Sequence, residues 1–405
     1  GFGFPEKINE QGHMGNAFFE HIVNGTNFFT GEKGSRLDFA SVHIKKMPER
    51  MIANEKKEFA KVTRFPSLQD IPLFNDEADP WFGWKREMWP RATPWYGAFV
   101  ARSVQLRLKP SYLEALPHYV NFSSDNAFMG GFYHRTLLAR FQREAGGGFA
   151  NVKKPVYQMM SLLGGLHGGR AVPVEVPDTV KAHLGAFAVR LEKEVALFVV
   201  NFPNTAEALG DPTKTVTPEE RALMDKQAVD LVLQLENLGL SEAMQIHYRL
   251  DEDHGNPYAV WRAQGSPGHP TNAQLADMRA VQEPTLYESP QTVSGTDPIT
   301  ISLGLPSPGV SVIKFVEKPA EAPGQPENLR YRLDPALNGG KELMLRWDFE
   351  GSRSIKSFEV LYGEEPDGTY QQLNKTAFID NGFSWLLPEG LKNGYLKVRA
   401  VDYWD

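Results

Sequence analysis

The segment IPLFNDEADP at residues 71–80 is the most informative part of the sequence, and two tryptophans follow it within four residues. Its first four residues are apolar and predict a short buried strand. Asp76, Glu77 and Asp79 follow that strand, and Pro80 ends any regular element. In parallel α/β barrels the catalytic side chains stand at the carboxyl ends of strands, and paired carboxylates carry out glycoside hydrolysis. The stretch is therefore a candidate sugar-cleaving segment, although by itself it also fits a solvated acidic turn.

Length, net charge and composition limit the classes of protein to which the chain can belong. The chain has 405 residues, enough for two or three domains with separate cores. A formal net charge of −7 argues against a nucleic-acid or anionic-membrane surface, and no apolar run reaches the ~20 residues of a membrane span. The chain has no cysteine, which excludes disulfides, thiol nucleophiles and cysteine-ligated zinc. The histidines lack ligand spacing, so we expect no metal site.

The first 170 residues alternate short apolar runs with helical patterns, as in a parallel sheet whose strands are joined by helices. Prolines near the first turn mark the start of two of these helices. The predicted strands are 37–43, 71–74 and 116–122, and the predicted helices are 49–63, 93–106, 135–144 and 154–166.

From about residue 171 the pattern changes to strands with Gly/Pro-rich connections, which predicts a β-sandwich. The predicted strands are 184–190, 195–202, 228–235, 243–250 and 310–316, and a helix at 272–283 interrupts them. A proline-stiffened linker at 318–326 precedes more strands at the spacing of fibronectin type III modules: 329–333, 342–348, 358–363, 384–387 and 395–401. Trp347 matches the position of that module's core tryptophan.

Several segments outside residues 71–80 carry a family resemblance. They are NGTNFFTG at 24–31, RLD at 36–38, SDNAF at 124–128, RTLLARF at 135–141 and RAVDYW at 399–404. Together with NDEADP at 75–80, they resemble the α-L-iduronidase branch of glycoside hydrolase family 39, in the family's order and over almost the whole chain. The resemblance implies a retaining exo-glycosidase that removes terminal iduronic acid from glycosaminoglycan-type chains without a cofactor.

The resemblance also implies a (β/α)8 catalytic barrel, whereas residues 1–170 hold only about four βα units. We therefore expect an α/β fold with added β domains. The C-terminal half of a TIM barrel (strands 5–8) should occupy 1–170, a β-sandwich with one helix 171–320, and a fibronectin type III-like domain 321–405. Half a barrel exposes two sheet edges and an apolar interior. We expect the N-terminal half of the barrel to precede this chain or to come from a second chain, and this chain alone to be inactive.

The family resemblance assigns roles to individual residues. Glu77 matches the nucleophile of the retaining mechanism. Its acid/base partner belongs to an Asn-Glu-Pro segment that does not occur here, so we expect it upstream, with Glu6 and Glu10 as weaker alternatives. Arg135 matches an arginine that holds the substrate carboxylate, a group that suits a planar guanidinium. The residues that we expect to bind the sugar are His43, Lys45, Gly83, Trp84, Asp125 and Arg135.

Two other functions remain open at this point. One is a β-xylosidase of the same family, against which the fibronectin-like tail and the iduronidase-like segments argue. The other is a non-catalytic carbohydrate-binding or scaffold homologue, which the missing acid/base would fit. The expected partner is a uronic-acid-containing glycan, and not a nucleic acid or a membrane. The resemblance implies a lysosomal or secreted protein, or a periplasmic or extracellular one if the source is bacterial.

Overall fold

The computed structural model describes residues 3–5, 13–81, 88–116, 120–122, 130–142, 148–203, 222, 227–350, 355–391 and 393–404. The chain forms two compact units. The first unit comprises Gly1–Arg86 and Ala101–Phe128, and the second comprises Glu87–Val100 and Met129–Asp405. Within the described ranges, no helix is long and apolar enough to cross a membrane. The predicted domain boundaries at 170/171 and 320/321 both fall inside the second unit.

The first unit is built on a parallel sheet whose four strands lie side by side in chain order. Helices connect these strands, as the sequence pattern predicts. The elements are β1 Gly3–Pro5, α1 His13–Asn24, β2 Ala40–His43, α2 Pro48–Thr63, β3 Leu73–Asn75, α3 Pro94–Arg107, the single turn α4 Pro110–Leu113 and β4 Val120–Phe122. Helix α3 begins in the second unit and ends in the first. The strands predicted at 37–43, 71–74 and 116–122 and the helices at 49–63 and 93–106 are confirmed, although each strand begins later than predicted.

Helix α2 follows directly from its sequence. Pro48 lies in its first turn, where a missing N–H removes no intrahelical hydrogen bond. Buried residues recur along one face at helical spacing: Met51, Ile52, Glu55, Phe59 and Val62. Glu55 is the charged member of this stripe and is fully buried. A carboxylate in such a position requires partners, because an uncompensated buried charge is strongly unfavourable.

The helix predicted at 135–144 is wrong, because this segment contains a strand. Strand β5 Leu138–Gln142 pairs with β6 Phe149–Lys153 in an antiparallel ribbon. Buried residues alternate along both strands, and the guanidinium of Arg140 lies 3.9 Å from the ring centre of Phe149. The apolar residues of RTLLARF fit a helical or a strand period over so short a segment, and cross-strand pairing decides between the two.

The second unit continues with helix α5 Pro155–Gly164, as predicted, and a two-layer β-sandwich. One layer contains β7 Arg170–Val172, β8 Leu184–Arg190, β9 Glu194–Asn201, β11 Glu242–Leu250, β12 Thr285–Leu286, β13 Gln291–Ser294 and β15 Gly309–Glu317. The other layer is the antiparallel pair β10 Val229–Leu235 and β14 Ile299–Leu305. Helices α6 Pro257–Ala263 and α7 Asn272–Ala280 connect β11 to β12.

Apolar side chains from both layers of the sandwich form one core, with Leu197, Leu303 and Phe315 among its buried members. The five sandwich strands predicted from the sequence are confirmed, and so is the helix predicted at 272–283, which ends at Ala280. Strands β7, β12, β13 and β14 and helix α6 were not predicted.

The last part of the second unit consists of two three-stranded antiparallel sheets that share a core. The strands are β16 Glu327–Pro335, β17 Lys341–Asp348, β18 Ser357–Gly363, β19 Gln371–Gln372, β20 Gly382–Leu386 and β21 Tyr395–Val401. Trp347 is buried in that core, with its ring centre 5.1 Å from that of Phe358. The predicted linker at 318–326 contains no helix or strand, and the five strands predicted after it are confirmed.

The sandwich buries a polar cluster on strand β11. His247 and Arg249 are both buried and lie two residues apart, so their side chains leave the same face of the strand. Nδ1 of His247 lies 3.2 Å from Oε1 of Glu288, and Nη1 of Arg249 lies 3.5 Å from Oδ2 of Asp251. The guanidinium lies 4.0 Å from the ring centre of Tyr287. Burial, together with the positive charge of Arg249, lowers the pKa of His247.

We expect His247 to make the protein less stable in acid. An unfolded histidine titrates near pH 6.5, whereas the folded protein keeps this imidazole neutral to lower pH, so the unfolded chain binds one more proton. Above about pH 6.5 the titration of this histidine does not reduce the free energy of unfolding. Below that pH the free energy of unfolding decreases, by at most ~1.4 kcal/mol per pH unit, until the lowered pKa is reached. Urea unfolding at about pH 7 and about pH 5.5 measures this loss. The loss should be smaller in His247→Gln, and an equal loss in both proteins would contradict the prediction.

Candidate active site

The carboxyl ends of β2 and β3 lie side by side in the first unit. Parallel pairing places Val42 opposite Asn75, and the N–H of Asp76 donates to the carbonyl of Val42 at 3.3 Å. His43 ends β2, and Asp76 and Glu77 follow β3. Because neighbouring parallel strands end at the same edge of a sheet, the residues that follow the two strands meet at this edge.

The carboxylate of Glu77 lies between two basic side chains. Lys45 donates from Nζ to Oε2 of Glu77, and Nδ1 of His43 lies 3.5 Å from Oε1. The other ring nitrogen of His43, Nε2, lies 3.3 Å from Oδ1 of Asp76. The Lys45 side chain is 5% exposed and that of Glu77 is 17% exposed, so water screens this pair little. The ammonium therefore favours the ionised carboxylate, which is the form that can act as a nucleophile.

The side chain of Asn75 joins the two strand ends. Its Oδ1 accepts a hydrogen bond from the N–H of Ile44 at 3.1 Å, and its Nδ2 donates to the carbonyl of Ile44 at 3.2 Å. Nδ2 also donates to Oε1 of Glu55 at 2.8 Å. Ile44 lies between His43 and Lys45 in the sequence, so this amide holds the backbone that carries both basic side chains.

Glu55 belongs to this site, although no sequence motif marks it. Its carboxylate accepts hydrogen bonds from Nε of Arg107 at 3.1 Å, from Nη2 of the same guanidinium and from the hydroxyl of Tyr112 at 2.8 Å. Burial, and then the charge of Glu55, raises the pKa of Tyr112, which keeps this hydroxyl a donor. Spacing is the sequence signal that could have found Glu55, because it lies four residues from both Met51 and Phe59 in the apolar stripe of α2.

Of the other residues expected to bind the sugar, Arg135 is the one that lies among the described residues. Arg135 lies in the second unit, where it is buried in the bend that precedes β5. Lys154 donates from Nζ to the carbonyls of Phe132 at 3.1 Å and His134 at 2.7 Å, which fixes the backbone leading to Arg135. Gly83, Trp84 and Asp125 lie outside the described residues, as do Glu6 and Glu10.

Comparison with known proteins assigns the chain to a family. The sequence model described as Glycosyl hydrolases family 39 matches residues 7–297. The chain belongs to glycosyl hydrolase family 39. Among curated relatives, α-L-iduronidase of Mus musculus is 30% identical over 401 residues, which are 95% of this chain and 61% of the mouse protein. The chain therefore spans less than two thirds of the length of that relative.

Solved structures show the fold of this family 39 chain. The structure of a bacterial orthologue of human α-L-iduronidase matches it with a TM-score of 0.82 at 23% identity, over 97% of this chain and 67% of the orthologue. A monomeric β-xylosidase from Caulobacter crescentus CB15 matches with a TM-score of 0.50 at 16% identity, over 70% of this chain and 57% of its own. The mixed helix and sheet fold is thus that of the iduronidase orthologue, while the predicted half-barrel and three-domain division stay predictions.

Proposed function

We propose that this family 39 chain carries the nucleophile of a retaining exo-glycosidase that removes terminal iduronic acid from glycosaminoglycan-type chains. The main support for the proposal is the Lys45–Glu77 pair. The Glu77 carboxylate is shielded from solvent and lies beside basic side chains, at the carboxyl ends of adjacent parallel strands. Barrel enzymes hold their catalytic carboxylates at such strand ends. The similarity to mouse α-L-iduronidase supports the choice of sugar.

In the proposed reaction Glu77 attacks the anomeric carbon of the bound sugar. The bond between that carbon and the leaving oxygen breaks, an acid protonates the oxygen, and a glycosyl ester forms on Glu77. A water molecule, deprotonated by the same acid/base group, then attacks the anomeric carbon and releases the carboxylate of Glu77. We propose that this acid/base glutamate lies in sequence that the chain does not include, because no Asn-Glu-Pro segment occurs here.

The proposed sugar contacts give a physical reason for a uronic acid substrate. We propose that Lys45 lines the sugar site beside Glu77. We propose that Arg135 binds the sugar carboxylate through its planar guanidinium, whose burial strengthens a charged hydrogen bond. The remaining proposed sugar contacts are His43, Gly83, Trp84 and Asp125.

We expect the full-length protein to prefer an iduronide to a xyloside. A xyloside lacks the carboxylate that Arg135 is proposed to bind, at a cost of about 2–4 kcal/mol, or roughly 30- to 1,000-fold in kcat/KM. Steady-state rates on 4-methylumbelliferyl iduronide and xyloside measure this ratio. Arg135→Ala should bring the ratio towards one, since only the iduronide loses a contact. Comparable kcat/KM for the two substrates in the wild-type protein would favour the β-xylosidase alternative.

A fluorinated iduronosyl fluoride tests the nucleophile directly. Such a probe forms the glycosyl ester quickly and loses it slowly, so the label stays on the residue that attacked. Peptide mapping of the labelled full-length protein should find the uronosyl group on Glu77. A label on another residue, or the absence of any label, would exclude the proposal.

A further inference from the structure

The amide of Asn75 has a single orientation that suits its surroundings. A carboxylate can only accept hydrogen bonds, so Glu55 requires the Nδ2 of Asn75 on its side. Oδ1 of Asn75 then faces the N–H of Ile44, and the second hydrogen of Nδ2 faces the Ile44 carbonyl. Both amide hydrogens and the amide oxygen are thereby used, in a residue that is fully buried.

Glu55 is itself held by two further side chains. Arg107 contacts both carboxylate oxygens, through Nε and Nη2, and Tyr112 donates to Oε2. Nη1 of Arg107 also donates to the carbonyl of Ser103, one turn earlier in α3. A two-point guanidinium contact defines the orientation of a carboxylate more closely than a single contact does. The position of Glu55 is therefore set by α3 and α4.

These contacts form a continuous path from α3 to the proposed nucleophile. Glu55 orients Asn75, and Asn75 binds both backbone groups of Ile44, which immediately precedes Lys45. In its own segment, Asn75 lies two residues before Glu77. One amide thus fixes the two backbone segments whose side chains meet in the Lys45–Glu77 pair.

We propose that Asn75 and Glu55 are positioning residues, which set the geometry of Lys45 and Glu77 without touching the substrate. This inference rests on the proposed role of Glu77 as the nucleophile. Reacting groups must be held within a fraction of an ångström, and a displacement of about 1 Å can cost about 10²-fold in rate. Neither Asn75 nor Glu55 is among the proposed catalytic or sugar-binding residues.

Crystal structures of variants of the full-length protein test the geometry without any need for turnover. In Asn75→Ala we expect Nζ of Lys45 to lie more than about 4 Å from Glu77, because the Ile44 backbone has lost both hydrogen bonds to the amide. Phe59→Leu is the matched control, since it removes volume from the same buried face of α2 and should keep the ion pair. An intact Lys45–Glu77 pair in Asn75→Ala would overturn the inference.

Kinetics test the consequence for the reaction. We expect kcat/KM on the iduronide to fall about 10- to 100-fold in Asn75→Ala and in Glu55→Gln, whose side chain no longer dictates the orientation of Asn75. In the pH profile of kcat/KM the acidic limb should move to higher pH, because the displaced ammonium of Lys45 no longer favours ionised Glu77. Phe59→Leu should lose thermal stability but keep kcat/KM within about threefold, with the acidic limb unchanged. If Asn75→Ala had the same kcat/KM and the same acidic limb of the pH profile as the wild-type protein, the inference would also be overturned.

The positioning role and the proposed function fail in different ways. If the wild-type protein is labelled on Glu77 while Asn75→Ala behaves like wild type, only the positioning role is excluded. If the wild-type protein is not labelled on Glu77, the proposed function is excluded, and the crystal structures still decide whether Asn75 sets the geometry of the ion pair.

Discussion

Glu77→Gln lowers kcat/KM of the full-length protein on the iduronide by about 10⁴-fold or more, the largest effect on activity that we expect. Glutamine keeps the shape of the side chain and an oxygen that can accept the hydrogen bond from Lys45. It removes the negative charge that attacks the anomeric carbon, and a neutral amide cannot form the glycosyl ester. Steady-state kinetics should therefore show a loss in kcat, with KM little changed.

Asp76→Asn is the matched control, because it makes the same chemical change one residue earlier. Asp76 is 44% exposed and lies 3.3 Å from Nε2 of His43, on the solvent side of the cluster. We expect its kcat/KM to fall by less than about tenfold. A Glu77→Gln variant that turns over near the wild-type rate, or an equal loss in Asp76→Asn, would remove Glu77 from the nucleophile role.

Arg107→Met should destabilise the protein by about 3–5 kcal/mol, the largest effect on stability that we expect. Methionine keeps much of the side-chain volume but removes the charge that balances Glu55. The Glu55 side chain is 0% exposed, so its carboxylate cannot replace the lost contacts with water. It keeps the hydrogen bonds from Tyr112 and Asn75, which do not neutralise it. The urea midpoint of the full-length protein, compared with wild type at neutral pH, measures the effect.

Arg102→Met tests whether burial of the partner causes this loss. Arg102 lies on the same helix and pairs with Glu49 at 3.0 Å, but the Glu49 side chain is 37% exposed. Because the Glu49 side chain is only partly buried, we expect a smaller loss, of about 1 kcal/mol. The double variant Arg107→Met/Glu55→Gln should recover part of the larger loss, because it removes the buried charge together with its partner. Similar losses in Arg102→Met and Arg107→Met would contradict the argument.

Local sequence patterns determined most of the elements in this protein. An apolar run that ends in NDEADP places its carboxylates just after a strand, and β3 Leu73–Asn75 ends before Asp76. Proline at the first turn marks the start of α3 and α5 because its fixed backbone angle suits a helix start. Most strands of the two β regions were predictable because strand-forming runs between Gly/Pro-rich turns identify a strand before its partners are known. The order of the segments likewise indicated family 39, which the family comparison confirms.

The tertiary structure alone decided the strand within 135–144 and the burial of Glu55. The apolar residues of RTLLARF fit either period, so pairing with β6 was needed to choose the strand. Glu55 stands among lysines and glutamates in a helix, and Arg107 and Tyr112, which hold it, are 52 and 57 residues away. Spacing along the chain predicts which face a residue occupies. It does not predict the distant partners, and those partners are what make a buried charge stable.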